Sequence, residues 1–137
     1  MIDSRPIYKY LILLVSALFF LPAMADDKRT ERVQFDAGTT GTVIEDSITG
    51  YEYVHFLVGA KAGQTMSVEL TTDNTANYFN VIPPNEEDVA VFIGSTSGGE
   101  FSGSLDLDGD WKIRVYMMRS AARRDEVANF SLSISIM

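Results

Sequence analysis

The strongest structural signal in this chain is a strict alternation of apolar and polar residues near the C-terminus. The run NFSLSISI places Phe130, Leu132, Ile134 and Ile136 on one side and three serines on the other. A period of two separates such sets onto the two faces of a β-strand, whereas a helix needs a period near 3.6. The run therefore predicts a strand with one dry face. Because it carries no charge, we expect it to be covered or central in its sheet.

Similar runs recur along the chain, and none shows a sustained helical period. QTMSVELTT and WKIRVYMM alternate in the same way, and YEYVHFLV (Tyr51–Val58) is apolar on both faces apart from Glu52 and His55, which is typical of an inner strand. Weaker strands are predicted at Arg32–Phe35, Thr42–Ile48, Tyr78–Ile82, Val89–Ile93 and Phe101–Leu107. Turn sequences separate the runs, and Asp108–Gly109 between two of them is a strong hairpin signal. The pattern predicts an all-β fold, a small antiparallel β-sandwich of about seven to nine strands.

The N-terminal residues predict a secretory signal peptide over residues 1–25. Arg5 and Lys9 precede the apolar run Tyr10–Pro22, and the sequence AMA ends at Ala25. A basic segment, an apolar segment and an A-x-A site are the three parts of such a peptide, and the apolar run is short for a membrane span. We therefore expect cleavage after Ala25, a single domain over residues 26–137, periplasmic export and no membrane anchor.

Charge and cysteine content narrow the classes of partner and of fold. The chain has 19 acidic and 11 basic residues, a net charge of −8, which becomes −9 when Asp3, Arg5 and Lys9 leave with the signal peptide. Such a surface repels nucleic acid, so we expect no nucleic-acid partner, and it attracts cationic proteins. Acidity that only aids solubility is the alternative. The chain has no cysteine, so an exported fold must depend on packing instead of disulfides.

Residues for catalysis or for metal binding are scarce. His55 is the single histidine and lies within an apolar run, where a packed strand residue is the simpler interpretation than a general base. Asp106, Asp108 and Asp110 resemble a calcium loop, but the glycine and the final glutamate of an EF-hand are out of place, and a hydrated acidic hairpin is the alternative. We therefore expect no enzymatic activity, no cofactor and no metal.

Positive charge gathers in one short connection, YMMRSAARRDEV, just before the last strand. Ala121 and Ala122 favour a helical turn, and Arg119 and Arg123 are four residues apart, so both can project from one face. Two interpretations stay open. The arginines of the connection can pair locally with the acidic residues that follow, or Arg119 and Arg123 can present guanidinium groups to a carboxylate on another molecule.

Four segments resemble the periplasmic inhibitors of g-type lysozyme, the PliG family. They are GYEYVHF (Gly50–Phe56), AGQTMSVEL (Ala62–Leu70), GDWKIRVYMMRSAARR (Gly109–Arg124) and NFSLSISI. The similarity lies in Gly-Tyr-x-Tyr, then Arg-Val, then Arg-x-x-Ala-Arg before an alternating last strand. The order of strands is also similar, more loosely, to bacterial pre-peptidase C-terminal domains, which are β-sandwiches of about this size.

The resemblance implies an exported protein that blocks a g-type lysozyme by inserting loops into its substrate cleft. It places Arg119 and Arg123 at the partner's acidic groups, with Arg119 first. Tyr51 becomes an anchor at the same rim, and Tyr53 shares the face of Tyr51 by strand alternation. The loops SGGEF and PPNEED have no counterpart in the family pattern, so a second inserting loop stays open.

Two other functions are compatible with the sequence. The chain can be a carbohydrate- or peptidoglycan-binding sandwich whose exposed tyrosine and tryptophan side chains stack on sugars, or an accessory sandwich in a secreted assembly. The identity of the lysozyme, the affinity and the oligomeric state are left open.

Overall fold

A computed structural model of the protein describes residues 27–137, which form two β-sheets packed face to face. The predicted signal peptide lies outside the described residues. Nine strands and two short helices follow one another in this range. They are β1 Lys28–Arg32, β2 Gly41–Thr49, β3 Tyr53–Ala60, β4 Thr65–Thr72, β5 Asn77–Ile82, β6 Phe92–Ile93, α1 Gly94–Ser97, β7 Glu100–Ser104, β8 Gly109–Met117, α2 Arg119–Arg123 and β9 Val127–Ile136.

The strands divide into a five-stranded sheet, β1-β3-β8-β5-β6, and a four-stranded sheet, β2-β9-β4-β7. The predicted β-sandwich is therefore confirmed, with β3 as an inner strand and β9 as a central one. One pair departs from the antiparallel pattern, because β1 runs parallel to β3. The chain visits the opposite sheet as β2 between these two strands, so it returns to the first sheet in its original direction.

The core lies between the two sheets and follows the period of two. Its largest fully buried side chains come from both sheets and include Trp111, Phe56, Phe79, Ile48, Met66 and Leu132. Burying a side chain of this kind stabilises the fold by about 1.5–3 kcal/mol. The described chain contains no cysteine, so this packing does what disulfides do in many exported domains.

Several predicted elements differ from the structure; the strands predicted at Phe101–Leu107 and Tyr51–Val58, for example, are Glu100–Ser104 and Tyr53–Ala60. The strand predicted at Arg32–Phe35 is wrong in position, because pairing with β3 ends at Arg32. The strand predicted at Val89–Ile93 is reduced to its last two residues, because only these pair in register with β5. The hairpin predicted at Asp108–Gly109 is wrong: β7 and β8 belong to different sheets, so this turn carries the chain across the sandwich.

Two connections between the sheets meet at one end of the sandwich. The turn at residues 50–52 leads from β2 to β3, and α2 leads from β8 to β9. The partners Thr49 and Val127 are the last residue of β2 and the first of β9. The turn and the helix connection therefore begin and end side by side. None of the helices in residues 27–137 is long and apolar enough to cross a membrane.

Candidate partner-binding site

The turn at residues 50–52 is fixed directly to the connection that contains α2. The backbone N–H of Gly50 donates to the carbonyl oxygen of Glu126 at 2.9 Å. Gly50 has a φ of +61°, and a Cβ at this position would lie 3.1 Å from Oδ1 of Asp125 and 3.5 Å from the carbonyl oxygen of Ala122. Glycine suits both the left-handed backbone and the close approach. The two connections thus form one unit.

Helix α2 is anchored by its alanines and exposes its arginines. Ala121 and Ala122 are each 1% exposed, and Ala121 belongs to the main core. Arg119 and Arg123, one turn apart, are both exposed. The predicted helical turn and the spacing of its cations are therefore confirmed. Small residues on the inner side let the helix lie flat against the sandwich, which leaves the long cationic side chains on the outer side.

The arginines of this connection differ in their partners. Arg124 forms an ion pair with Glu126, with 2.6 Å between its terminal nitrogen and the carboxylate, and its Nε donates to the same group. Arg119 and Arg123 make no hydrogen bond or ion pair with any side chain of the described range. Local pairing, one of the two interpretations of this loop, is thus correct for Arg124 and wrong for the other two.

The carboxylate of Glu126 binds two side chains next to the exposed arginines. One carboxylate oxygen accepts from the side-chain amide of Asn74 at 3.0 Å and the other from Arg124. These contacts, with that of Asn74 the larger, lower the pKa of the Glu126 carboxyl. Because its carboxylate is occupied by Asn74 and Arg124, Glu126 does not pair with Arg119 or Arg123.

The two tyrosines predicted to contribute to the site have different surroundings. Tyr51 lies in the turn and is 51% exposed. Tyr53 is the first residue of β3 and is half-buried, with the guanidinium carbon of Arg114 5.5 Å from its ring centroid and the ring of His55 at the same distance. The prediction that they share one strand face is wrong, because β3 begins after Tyr51. Only Tyr51 lies in the unit that carries the free arginines.

His55 is a packed residue with an unusual electrostatic environment. It is 5% exposed, and its Nε2 accepts a hydrogen bond from Nε of Arg114 at 2.8 Å. Burial, together with the positive charge of Arg114, lowers the pKa of this imidazole to about 4. The ring is therefore neutral and acts as an acceptor, as expected for a structural strand histidine.

The acidic residues of the Asp106–Asp110 loop are used in the fold. Asp108 accepts the backbone N–H of Ala62 at 2.8 Å, and Asp110 forms a two-point pair with Arg32. Within residues 27–137, no group of three or more potential metal ligands is clustered.

Three residues next to the site were not predicted to belong to it, although they fall at alternate positions of the sequence that includes WKIRVYMM. Arg114 and Tyr116 occupy alternate positions along the outer side of β8, and Met118, the extended residue between β8 and α2, continues the alternation and is 42% exposed. Alternation placed the first two outward but could not show that they lead to Arg119. Trp111, by contrast, is 2% exposed and donates its indole N–H to Leu107, so it is not a stacking platform for sugars.

No protein-family model and no curated protein matches the chain. Solved structures do match. The chain is similar to PliG of Aeromonas hydrophila, a periplasmic inhibitor of g-type lysozyme, with 36% identity, a TM-score of 0.77 and coverage of 82% of this chain and 100% of that one. It shares its fold with PliG of Salmonella Typhimurium, at 23% identity, a TM-score of 0.60 and coverage of 80% and 98%. It also shares its fold with a pre-peptidase C-terminal domain of a Bacillus anthracis collagenase, at 10% identity, a TM-score of 0.54 and coverage of 80% and 96%.

Proposed function

The chain belongs to the PliG family of periplasmic g-type lysozyme inhibitors, and we propose that it blocks a g-type lysozyme by placing Arg119 and Arg123 in the enzyme's substrate groove. One observation carries the finer part of this proposal. These two guanidinium groups are exposed and unpartnered within residues 27–137, whereas the other four arginines of that range are paired. Their desolvation therefore breaks no existing ion pair.

The chemistry of the groove explains why a guanidinium suits it. A muramidase uses a carboxyl group as general acid beside the scissile bond, and that group must be protonated to act. A guanidinium within hydrogen-bonding distance favours the ionised form and lowers the carboxyl pKa. Its planar donors also bind a carboxylate at two points while occupying the space of a sugar. Arg119 is the first candidate for this contact and Arg123 the second.

Tyr51 and Tyr53 have separate roles in the proposal. Tyr51 is exposed beside α2, and tyrosine often carries interface energy through its large, rigid ring and its hydroxyl group. It is the proposed anchor at the groove rim. Tyr53 is the first residue of β3 and lies beneath Arg114, so it would contact the partner only with its exposed edge.

Export and charge fit the same function. Cleavage of residues 1–25 would release residues 26–137 to the periplasm, where an invading lysozyme meets the cell wall. The net charge of −8 for the full chain would speed the capture of a cationic enzyme through long-range steering, and the effect would fade with salt.

Steady-state kinetics test the proposal. A g-type lysozyme is assayed on a soluble peptidoglycan fragment with increasing amounts of the mature protein. Occupation of the groove predicts competitive inhibition, in which the apparent KM rises and kcat stays unchanged. A fall in kcat at constant KM would exclude groove occupation while leaving inhibition intact, and full activity at micromolar excess would exclude inhibition.

A cell-wall pull-down separates this function from glycan binding. Purified protein is mixed with insoluble peptidoglycan in the absence of any lysozyme. We expect it to stay in the supernatant, because the only tryptophan is buried. Retention on the cell wall would favour a carbohydrate-binding module instead.

A further inference from the structure

The arginine end of the molecule is too small to form a stable interface alone. Helix α2 has five residues and the adjoining turn has three. A specific protein–protein interface buries about 800 Å² on each partner and involves roughly 20–30 residues. If the proposed function is correct, the contact must continue onto a neighbouring surface. The outer faces of the two sheets are the candidates.

The outer face of the five-stranded sheet is continuous with the arginine end. Arg114 and Tyr116 lie on the outer side of β8, and Met118, which follows the strand, connects them to Arg119. Tyr116 pairs with Tyr78 of β5, and their ring centroids are 6.3 Å apart. A line of polar–aromatic and apolar side chains therefore runs from the middle of this sheet to α2.

The same face ends in exposed aliphatic side chains. Ile93 is 43% exposed and pairs with Asn80, so it lies on the outer side beside Asn80, which is two residues from Tyr78 on the same face of β5. Val89 and Val91, in the loop that precedes β6, are 60% and 57% exposed. We call the outer side chains of Tyr78, Tyr116, Met118 and Ile93 the tyrosine face. Exposed apolar side chains gathered in this way are typical of interaction surfaces.

The outer face of the four-stranded sheet is mostly hydroxylic and acidic, with Val43 and Val127 as its exposed aliphatic side chains. Ser67, Ser133 and Ser135 project from its two central strands, and Glu69 pairs directly with Glu100 at its edge. Serine and glutamate are depleted in interfaces, whereas tyrosine, methionine and arginine are enriched. Composition thus favours the tyrosine face as the continuation.

Charge along the tyrosine face also suits the proposed partner. The carbonyl groups of Glu86 and Glu87 accept hydrogen bonds from Lys112 and Arg114, which holds their loop on this face at the side away from α2. The side chains of Glu87 and Asp88 are more than four-fifths exposed. Glu87 and Asp88 pair with Lys112 and Arg114 at 3.9 and 3.3 Å. The unpaired charge next to this face is therefore that of Arg119 and Arg123, which complements an anionic groove.

We propose that the tyrosine face is the second half of the lysozyme-docking surface and rests on the groove rim while Arg119 and Arg123 enter the groove. This inference depends on the function proposed above. It assigns further partner contacts to Tyr78, Tyr116, Met118 and Ile93. Of these, only Met118 borders the connection that carries the two arginines.

A matched pair of variants tests the tyrosine face. Ile93→Arg and Val43→Arg replace exposed strand aliphatics, 43% and 62% exposed, on opposite outer faces. Both change the net charge equally, so any steering effect is the same. We expect the Kd for a g-type lysozyme to rise about tenfold or more for Ile93→Arg, and less than about twofold for Val43→Arg. Circular dichroism melts establish that each variant is folded.

Truncation supplies a second test that adds no charge or bulk. Tyr78→Ala should raise the Kd about fivefold or more without a change in fold. Equal Kd values for Ile93→Arg, Tyr78→Ala and wild type, beside a loss of binding in Arg119→Ala, would overturn the tyrosine face and leave the proposed function standing. A wild-type protein that does not bind the enzyme would overturn both.

Discussion

The two outer faces of this sandwich share one core but differ in almost every surface property. The five-stranded sheet presents tyrosines, a guanidinium and exposed aliphatic groups, and it leads to α2. The four-stranded sheet presents serine and threonine hydroxyls, carboxylates and the aliphatic Val43 on its edge strand β2, and the hydroxyl oxygens of Ser67 and Ser102 are 3.2 Å apart. The inward residues of both sheets are equally apolar. The core therefore constrains the inward residues of both sheets. The outward residues are not constrained in this way, so the two outer faces can differ in function.

The arginines show the same division in electrostatic terms. Arg29 and Arg32 bind Asp46 and Asp110 and so connect strands, and Arg114 binds His55 and the loop that ends at Asp88. These contacts are internal. The unpartnered guanidinium groups of the described range are found only on α2. A guanidinium group without an internal partner is available to another molecule. The difference between the paired and the unpaired arginines therefore favours α2 as the partner contact.

The largest expected effect is the loss of binding in Arg119→Ala. Removing one member of a buried interfacial ion pair costs about 2–5 kcal/mol, or roughly thirtyfold to several thousandfold in Kd. Lys61→Ala is the control, because it removes the same charge at the far end of β3 and should change the Kd less than about twofold. Titration calorimetry with a g-type lysozyme measures both. Equal Kd values for Arg119→Ala and Lys61→Ala would show that the arginine end contributes no more to binding than the opposite end of β3.

A second expected effect is a pH dependence of stability that comes from the five-stranded sheet. Burial and the charges of Arg114, Lys28 and Lys112 lower the pKa of His55 to about 4, against a smaller opposing effect of Glu87. Between pH 6.5 and 4 the unfolded chain binds a proton that the folded chain does not. The stabilisation is therefore complete above pH 6.5 and is lost as the pH falls towards 4, by up to about 3 kcal/mol.

Urea titrations at several pH values check this expectation. His55→Gln keeps an acceptor for Arg114 but cannot titrate, so its stability should vary less than that of wild type between pH 6.5 and 4. Parallel curves for the two proteins would show that His55 does not contribute, and the dependence would then come from carboxyl groups of either sheet.

A moderate effect is expected when the turn beside α2 is displaced. Gly50→Ala introduces a side chain at a φ of +61° and 3.1 Å from Oδ1 of Asp125. Gly38→Ala is the matched control, because its φ is +80° and no atom lies within 4 Å of the added Cβ. Each should lose about 1–2 kcal/mol of stability from backbone strain. Only Gly50→Ala should also weaken inhibition, and a similar loss in Gly38→Ala would make the effect one of stability alone.

The smallest expected effect concerns the hydroxyl groups of the other face. Ser67→Ala removes a partly buried hydroxyl that contacts Ser102, and Ser133→Ala removes an exposed one; both lie on the side of the sheet away from the core. Both should stay within about 0.5 kcal/mol of wild-type stability and should bind lysozyme with unchanged Kd. A clear loss of affinity in either would assign function to the four-stranded sheet and reverse the comparison.

Much of the fold was predictable because strand alternation is a local property. The burial of Phe130 and Leu132 and the central position of β9 follow from the pattern of single residues. Which sheet a strand joins does not, because that depends on contacts distant in sequence. The turn at Asp108–Gly109 looks like a hairpin locally, yet the chain changes sheets there.

The candidate site was predictable in its residue types and not in its pairing. The spacing of Arg119 and Arg123 predicted a shared helical face, and family resemblance connected them to Tyr51. Sequence could not decide which arginine Glu126 would hold, since all three lie within seven positions of it. That choice depends on Asn74, which is far away in the chain and fixes the carboxylate on its other side.

The most direct measurement of the arginine contact is a double-mutant cycle between inhibitor and enzyme. Arg119→Ala is combined with the replacement of the lysozyme's catalytic carboxyl residue by its amide, and the four Kd values are measured at one pH. If the guanidinium binds that carboxylate, the coupling energy should be at least about 1.5 kcal/mol. A coupling below about 0.5 kcal/mol, the level found for residues that do not touch, would contradict it.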